Sequence, residues 1–433
     1  MTTPVIGPRW TNWGGNQQAV ATDVLTPGTV DELAGQVKEA SGSGRRVKVV
    51  GSGHSFTSIA VADDQRLFLH RLAGLVSVAG PLVTVQAGMR LATLNAILAE
   101  RGLAMPTLGD IDQQTVAGAI STGTHGTGLG HATLASCVEA VKLVTGEGEL
   151  LQIDKTDELF PAVRVGLGAL GVIVEVTLRC VQAFTLLADE RPMALADILA
   201  GLDEWLPVND HLEFFWYPYT DRAMLKVNNR VDVHDRPLSK FRGWMDDEFL
   251  SNTVFAGLCR LGRALPRTVG PINAVAARGL SARTYTDRSD RVFCSSRRVR
   301  FTEMEYEIPR TALPEVLAAL PGLIGALPFK VQFPVEVRFT GPDDIWLSHS
   351  YGRESAYLAV HQYTGVGYEP YFRAVEALCQ SFGGRPHWGK LHYRSADDLR
   401  PAYPKFDDFV AVRDRLDPAR VFANEYLDRV LGA

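Results

Sequence analysis

The stretch Val50-Gly-Ser-Gly-His-Ser-Phe-Thr-Ser58 follows a short apolar run, Val47 to Val50, that reads as a buried strand. Glycines at 51 and 53 let the backbone take positive φ and come close to a ligand, so that the amides of Val50, Gly51, Ser52, Gly53 and Ser55 can converge on an anion. A phosphate is the expected guest. The spacing fails the dinucleotide fingerprint, because Phe56 stands where the third glycine would fall and no helical pattern follows. This is not a Rossmann turn. Taken alone, the stretch also fits a tight strand exit with a solvated histidine.

It does not stand alone. A second glycine-rich stretch runs from Thr115 to Gly130, with Gly118 and Ala119 early in it and Gly123, Gly126 and Gly128 later. The hydroxyls of Thr115, Ser121, Thr122, Thr124 and Thr127 add donors, and His125 sits among them. Two such cradles suit a diphosphate. A third piece, Gly166 to Leu178, places Gly168 and Gly171 just before a strand-like run that starts at Val172 and Ile173.

At 433 residues the chain is long for one core, and two domains are expected. Its 46% hydrophobic and 21% charged residues are an ordinary globular balance. A formal charge of −5 gives no reason to expect nucleic acid or an anionic membrane as partner. No run approaches the length of a membrane span, and residues 1 to 10 lack the basic and apolar regions of a signal peptide, so a cytoplasmic protein is expected. The five cysteines, Cys137, Cys180, Cys259, Cys294 and Cys379, are odd in number and widely spread, and read as reduced core residues. No histidine or acid shows a metal-ligand spacing, so no metal is expected.

Thr29 and Glu32 form a capping-box pair ahead of Val30, Leu33, Ala34 and Val37, which recur on one helical face. Leu82 to Gln86 reads as a strand, and Leu91, Leu94, Ile97 and Leu98 mark a helix. Val138 to Val144 and Leu150 to Ile153 flank a turn and form a hairpin. The glycine clusters stop near residue 182. The expected architecture is therefore α+β in two domains: 1–182, then 183–401, with 402–433 returning to the first. The arginine-rich stretch from Arg283 to Arg300 reads as a solvated loop and strand entry.

Glu336 and Arg338 stand two apart in the alternating segment Gln-Phe-Pro-Val-Glu-Val-Arg-Phe-Thr, so both project from one strand face. Such a pair can lie on a surface. In so apolar a segment it is expected to face a cavity, where the carboxylate accepts substrate hydroxyls and the guanidinium donates to an oxygen gaining charge. His361 lies on another alternating run and is a candidate for the same cavity.

The order of these pieces resembles the FAD-binding domain of the vanillyl-alcohol-oxidase flavoprotein family, and within it the aldonolactone oxidase branch, with alditol oxidases close by. The likeness covers nearly the whole chain. It includes Asn12-Trp13, Phe214-Phe215-Trp216, Met304-Glu305-Tyr306, His387-Trp388-Gly389-Lys390, Asp417-Pro418, Phe422 and Asn424. The resemblance implies an FAD domain completed by the C-terminal segment, and a cap built on an antiparallel sheet with flanking helices. It implies FAD held by the three glycine-bearing segments and attached through an 8α-methyl bond to His54, a neutral imidazole able to act as nucleophile. The catalytic residues implied are Glu336 and Arg338, the family's Glu-x-Arg, and Lys390 beside the pyrimidine side of the flavin, with His361 near them. The implied substrate is a sugar lactone, or alternatively a polyol, with oxygen or another acceptor reoxidising the flavin. Gly118 and Ala119 are expected to border the flavin face that oxygen must reach.

Overall fold

The computed structural model describes residues 9–433 apart from His234, and of Asp247 the backbone alone. Residues 1 to 8, most of the stretch read for a signal peptide, lie outside the described residues.

The helix Val30–Gly42 begins as its sequence predicts: Thr29 Oγ1 accepts the Glu32 N–H at 3.1 Å. The return half of the box is shifted, since the Glu32 carboxylate takes the Gly28 N–H at 2.8 Å rather than that of Thr29. Leu33, Val37 and Ala40 on its inner face are buried. Beside it, Asp23–Leu25, Gln65–Leu67 and Val47–Val49 pair in parallel. A five-stranded antiparallel sheet follows, in the order Leu150–Asp154, Val138–Val144, Val172–Arg179, Leu82–Gln86 and Leu75–Ala79. The expected hairpin is its first pair.

The C-terminal segment closes this domain. Val47 N–H donates to Val421 O at 2.7 Å, extending the small sheet toward residues 417–424. Asp417 accepts the N–H groups of Val421 and Phe422, and Asn424 donates to Ser58 O and Val61 O, each at 3.0 Å. The first core includes Tyr403, Phe409 and Leu431, but also Ile345, Leu347, Trp388 and Leu399. Packing thus rejoins the first domain well before residue 402, where the sequence placed the return.

The cap is an eight-stranded antiparallel sheet among the described residues. Period-two alternation sorts its residues by face. Met304, Tyr306, Ile308, Val335, Val337, Phe339, Leu358 and Val360 share one core with the helices Leu313–Gly325 and Glu369–Gln380. The other face is charged. One transverse row reads Arg283, Glu190, Lys226, Glu213, each aligned with the next. It continues through Arg338, which donates to Glu213 at 3.0 Å, to Tyr357, Glu307 and Arg385. Opposite charges alternate from Arg283 to Arg338 and resume beyond Tyr357 with Glu307 and Arg385, each oppositely charged neighbouring pair contributing about 0.2–1 kcal/mol where exposed and leaving a costly charge if one partner is deleted where buried. The fold is therefore a two-layer cap whose polar sheet face turns toward the FAD-type domain. The expected fold class is the one observed.

Candidate active site

A cavity of about 1200 Å³ lies against the charged face of the cap sheet and is lined from both domains. The first glycine stretch supplies Ser52, His54 and Ser55, and the second supplies Thr122, Thr124 and His125. The two stretches touch: a Cβ on Gly51 would sit 2.6 Å from Thr115 Oγ1, so only glycine fits there. Gly53 has φ +72°. Its carbonyl accepts the Trp13 N–H at 2.7 Å, and buried Asn12 donates to Ser55 O at 3.0 Å. The Asn12-Trp13 pair thus fixes the His54 loop, and the Trp13 ring stacks on His54 at 5.7 Å between centroids.

The loop carrying Lys390 is tied to the same place. Phe56 N–H donates to Gly389 O at 2.7 Å, and Thr57 Oγ1 donates to Trp388 O at 3.0 Å. Lys390 Nζ lies 2.5 Å from Glu303 Oε2 and 5.4 Å from the Phe56 ring centre. Burial opposes its charge, but Glu303 and Glu305 outweigh that and hold its pKa above the usual lysine value. The same Glu303 faces His361 Nε2 through its other oxygen, at 3.4 Å. Burial would raise Glu303, yet Lys390 and His361 bring it down to about 2.

Glu336 and Arg338 project from one face of Val335–Thr340, as their spacing predicts, and pair with each other. Arg338 also reaches Glu213 at 3.0 Å and Asp110 at 3.7 Å. Desolvation pushes Glu336 up to about 7, Arg338 opposing. Asp110 is held far below its usual range because Arg297, Arg338 and Lys390 overcome its burial. His54 is pushed down to about 4, by burial first and then by Lys390, so it is a neutral imidazole near pH 7.

Of the expected site residues, the fold brings Ser52, His54, Ser55, Thr122, His125, Glu336, Arg338, His361 and Lys390 to this one cavity. Val50, Gly51, Gly53 and Thr115 are not among its lining residues; Thr115 caps the helix Val116–Ser121 by accepting the Gly118 N–H at 3.2 Å. Gly118 and Ser121 lie on that helix, and the Ala119 side chain packs in the first core instead of the cavity wall. Gly123, φ +74°, packs against His349, and a Cβ on Gly126 would strike Thr107 and Leu108. Gly171 backs onto Val144 O, and Val172 and Ile173 are buried strand residues of the first core. These glycines are required by protein packing.

Several lining residues were not foreseen. Arg283 and Arg297, placed in a solvated stretch, instead pair inside the site, Arg283 with Glu190 at 2.7 Å and Arg297 with Asp110 at 2.9 Å. Cys294, expected in a core, is half-buried, packs against the first core and also lines the cavity, while the cysteines among the described residues are all unpaired, as expected. Glu303, Glu305 and Glu307 alternate with Met304, Tyr306 and Ile308, a period-two signal that was legible and carries three buried acids. Glu305 faces His125 Nε2 at 3.2 Å. With His387 these residues place nitrogen and carboxylate atoms within 4.8 Å of one another, a grouping that chain spacing does not reveal. His125 and Glu305 pair directly, and both Nδ1 atoms are engaged by backbone, His125 with Gly126 O and His387 with the Gly389 N–H.

The arrangement fits the expected FAD. Ser52 Oγ is buried without a partner in the protein, the facing glycine stretches meet behind it, and neutral His54 and cationic Lys390 share the cavity. Ser52, Ser55, Thr122 and Thr124 would supply donors to the cofactor.

A family model described as D-arabinono-1,4-lactone oxidase matches residues 176–430, and one described as FAD binding domain matches residues 21–154. The chain is 43% identical over 429 residues to an L-gulono-1,4-lactone dehydrogenase of Mycobacterium tuberculosis, covering 99% of this chain and 100% of that one. It is 33% identical over 435 residues to the L-gulonolactone oxidase of Bos taurus, covering 98% of each. A solved solvent-stable cholesterol oxidase has a TM-score of 0.84 at 20% identity, covering 99% of this chain and 98% of that chain. At that identity the likeness speaks for the fold alone.

Proposed function

The chain belongs to the D-arabinono-1,4-lactone oxidase family and carries an FAD-binding domain, and on that premise we propose that it oxidises an aldono-1,4-lactone at a CH–OH group. The observation that carries this reading is the convergence of Glu336, Arg338, Lys390 and His54 on one cavity. FAD, when bound, accepts two electrons and a hydrogen from the substrate carbon and passes them to oxygen or another acceptor. Glu336 accepts a hydrogen bond from a lactone hydroxyl, and Arg338 donates to an oxygen that gains charge. Lys390 presents a fixed ammonium where negative charge must be accommodated. His54, neutral through burial, serves as the covalent anchor.

The cap domain, taken as about residues 183 to 401, supplies the substrate side, a division supported by the two separate cores, although Ile345, Leu347, Trp388 and Leu399 pack with the first. No described helix is long and apolar enough to cross a membrane. The five unpaired cysteines favour a reducing compartment, and we assign the protein to the cytoplasm. The reading is tested by offering purified enzyme L-gulono-, D-arabinono- and L-galactono-1,4-lactone beside xylitol and sorbitol, and comparing kcat/KM. Lactones are expected to be preferred. A preference for the open-chain polyols would replace the lactone assignment, and the time course of reoxidation by air separates oxidase from dehydrogenase.

A further inference from the structure

Alcohol oxidation must also dispose of the hydroxyl proton, and resting on the lactone reading, we propose that His361 takes it at Nδ1, oriented by Glu303. Glu303 and His361 are directly opposed on the adjacent antiparallel strands Phe301–Pro309 and Ser355–Tyr363. Their side chains therefore stand side by side on the charged face. Glu303 has both oxygens engaged: Oε2 by the Lys390 ammonium at 2.5 Å, and Oε1 toward His361 Nε2 at 3.4 Å. A carboxylate can only accept, so the His361 proton belongs on Nε2 and Nδ1 is left as a bare lone pair. His361 Nδ1 is buried and has no partner within the protein, and the residue lines the cavity with Glu336 and Arg338. Phe301 and Phe333 hold the ring, with centroids at 4.9 and 5.9 Å.

These facts define a base looking for an acid. When a substrate CH–OH is oxidised, the C–H hydrogen leaves with two electrons to the bound flavin, a C=O bond forms, and the O–H proton moves to Nδ1. The resulting imidazolium is stabilised by Glu303, the division of labour seen wherever a carboxylate backs a catalytic imidazole. Lys390 cannot fill this role, because its pairing with Glu303 keeps it protonated. His361 is thus a catalytic residue and Glu303 a positioning residue.

The tautomer can be read directly. In holoenzyme labelled with 15N-histidine, the ring assigned by its loss in His361→Gln should show a protonated Nε2 and a bare Nδ1. Glu303→Gln, whose amide can donate, should reverse that pattern while the flavin spectrum is retained. Anaerobic flavin reduction by a lactone should fall about 10²-fold or more in His361→Gln. It should fall comparably in Glu303→Gln, and recover in part in Glu303→Asp and when imidazole is added to His361→Gly. A protonated Nδ1 in the wild type, or reduction of His361→Gln at the wild-type rate, would overturn the proposal. Wild-type flavin that no lactone reduces would instead overturn the substrate reading, with the tautomer still deciding the dyad.

Discussion

Lys390 and Glu303 form a close charge pair on the cavity wall, at 2.5 Å between Nζ and Oε2. Both members stay ionised across neutral pH, so Lys390 is held as an ammonium, because Glu303 stays ionised down to about 2 and Lys390 is raised above the usual lysine value. Removing the ammonium should make a negatively charged flavin adduct less stable. In Lys390→Met we expect sulfite to bind about tenfold more weakly or worse, roughly 1.4 kcal/mol, and the flavin potential to fall. Unchanged sulfite affinity and potential, with slower lactone oxidation, would move the lysine's role to the substrate.

His54 sits at the mouth of the first glycine turn, neutral near pH 7 because burial holds its pKa at about 4. Acid-precipitated wild-type protein should carry its yellow colour in the pellet. His54→Ala should release FAD to the supernatant yet still bind it before denaturation, since Ser52 and the meeting of Gly51 with Thr115 are untouched. Free FAD released from the wild type would rule out the covalent bond.

Glu336 is raised to about 7, chiefly by burial. Below that pH it is a neutral acid, and above it a carboxylate paired to Arg338. Substrate hydroxyls are better accepted by the carboxylate, so lactone affinity should rise as pH passes upward through about 7. Glu336→Gln should flatten that step. Arg338→Ala strands Glu336, Glu213 and Asp110 together, and should cost roughly 2–5 kcal/mol in transition-state stabilisation with the flavin spectrum intact. A pH step that survives in Glu336→Gln would assign it to another group.

Lys48 lies on the strand Val47–Val49, buried against the C-terminal return, donating to Phe422 O at 3.0 Å and to Gly168 O at 3.4 Å. Burial lowers its pKa to about 7 from 10.5. Between those values the unfolded chain binds the proton and the folded chain does not, so this residue makes stability rise with pH across that window, and its full cost applies below about 7. Urea midpoints of Lys48→Met should lose that rise. An identical pH slope in wild type and variant would contradict it.

Local signals in the chain were read well where one element makes its own decision. Thr29, the hairpin at Val138 to Asp154 and the Glu336-x-Arg338 face all follow from capping or from period two, which need no knowledge of distant partners. Arg283 and Arg297 could not be placed, because what makes them site residues is Glu190 and Asp110, far away in sequence and brought opposite only by sheet register and a loop. The same holds for His125 with Glu305, contributed by different domains. Glycines 123, 126 and 171 are expected from the sequence to face a ligand, and their tight neighbours within the protein are His349, Thr107 and Val144. A glycine pattern reports close approach without saying what approaches.

Under the proposed function, a sugar lactone delivers its electrons to a flavin in the cavity lined by His54, Lys390, Glu336 and Arg338. The most direct measurement is anaerobic stopped-flow mixing of holoenzyme with L-gulono-1,4-lactone, following flavin absorbance. Saturable bleaching is expected in the wild type and at least about 30-fold slower bleaching in Arg338→Ala, the lower end of its expected energetic cost. Wild-type flavin that dithionite bleaches but no aldonolactone does would contradict the proposed function.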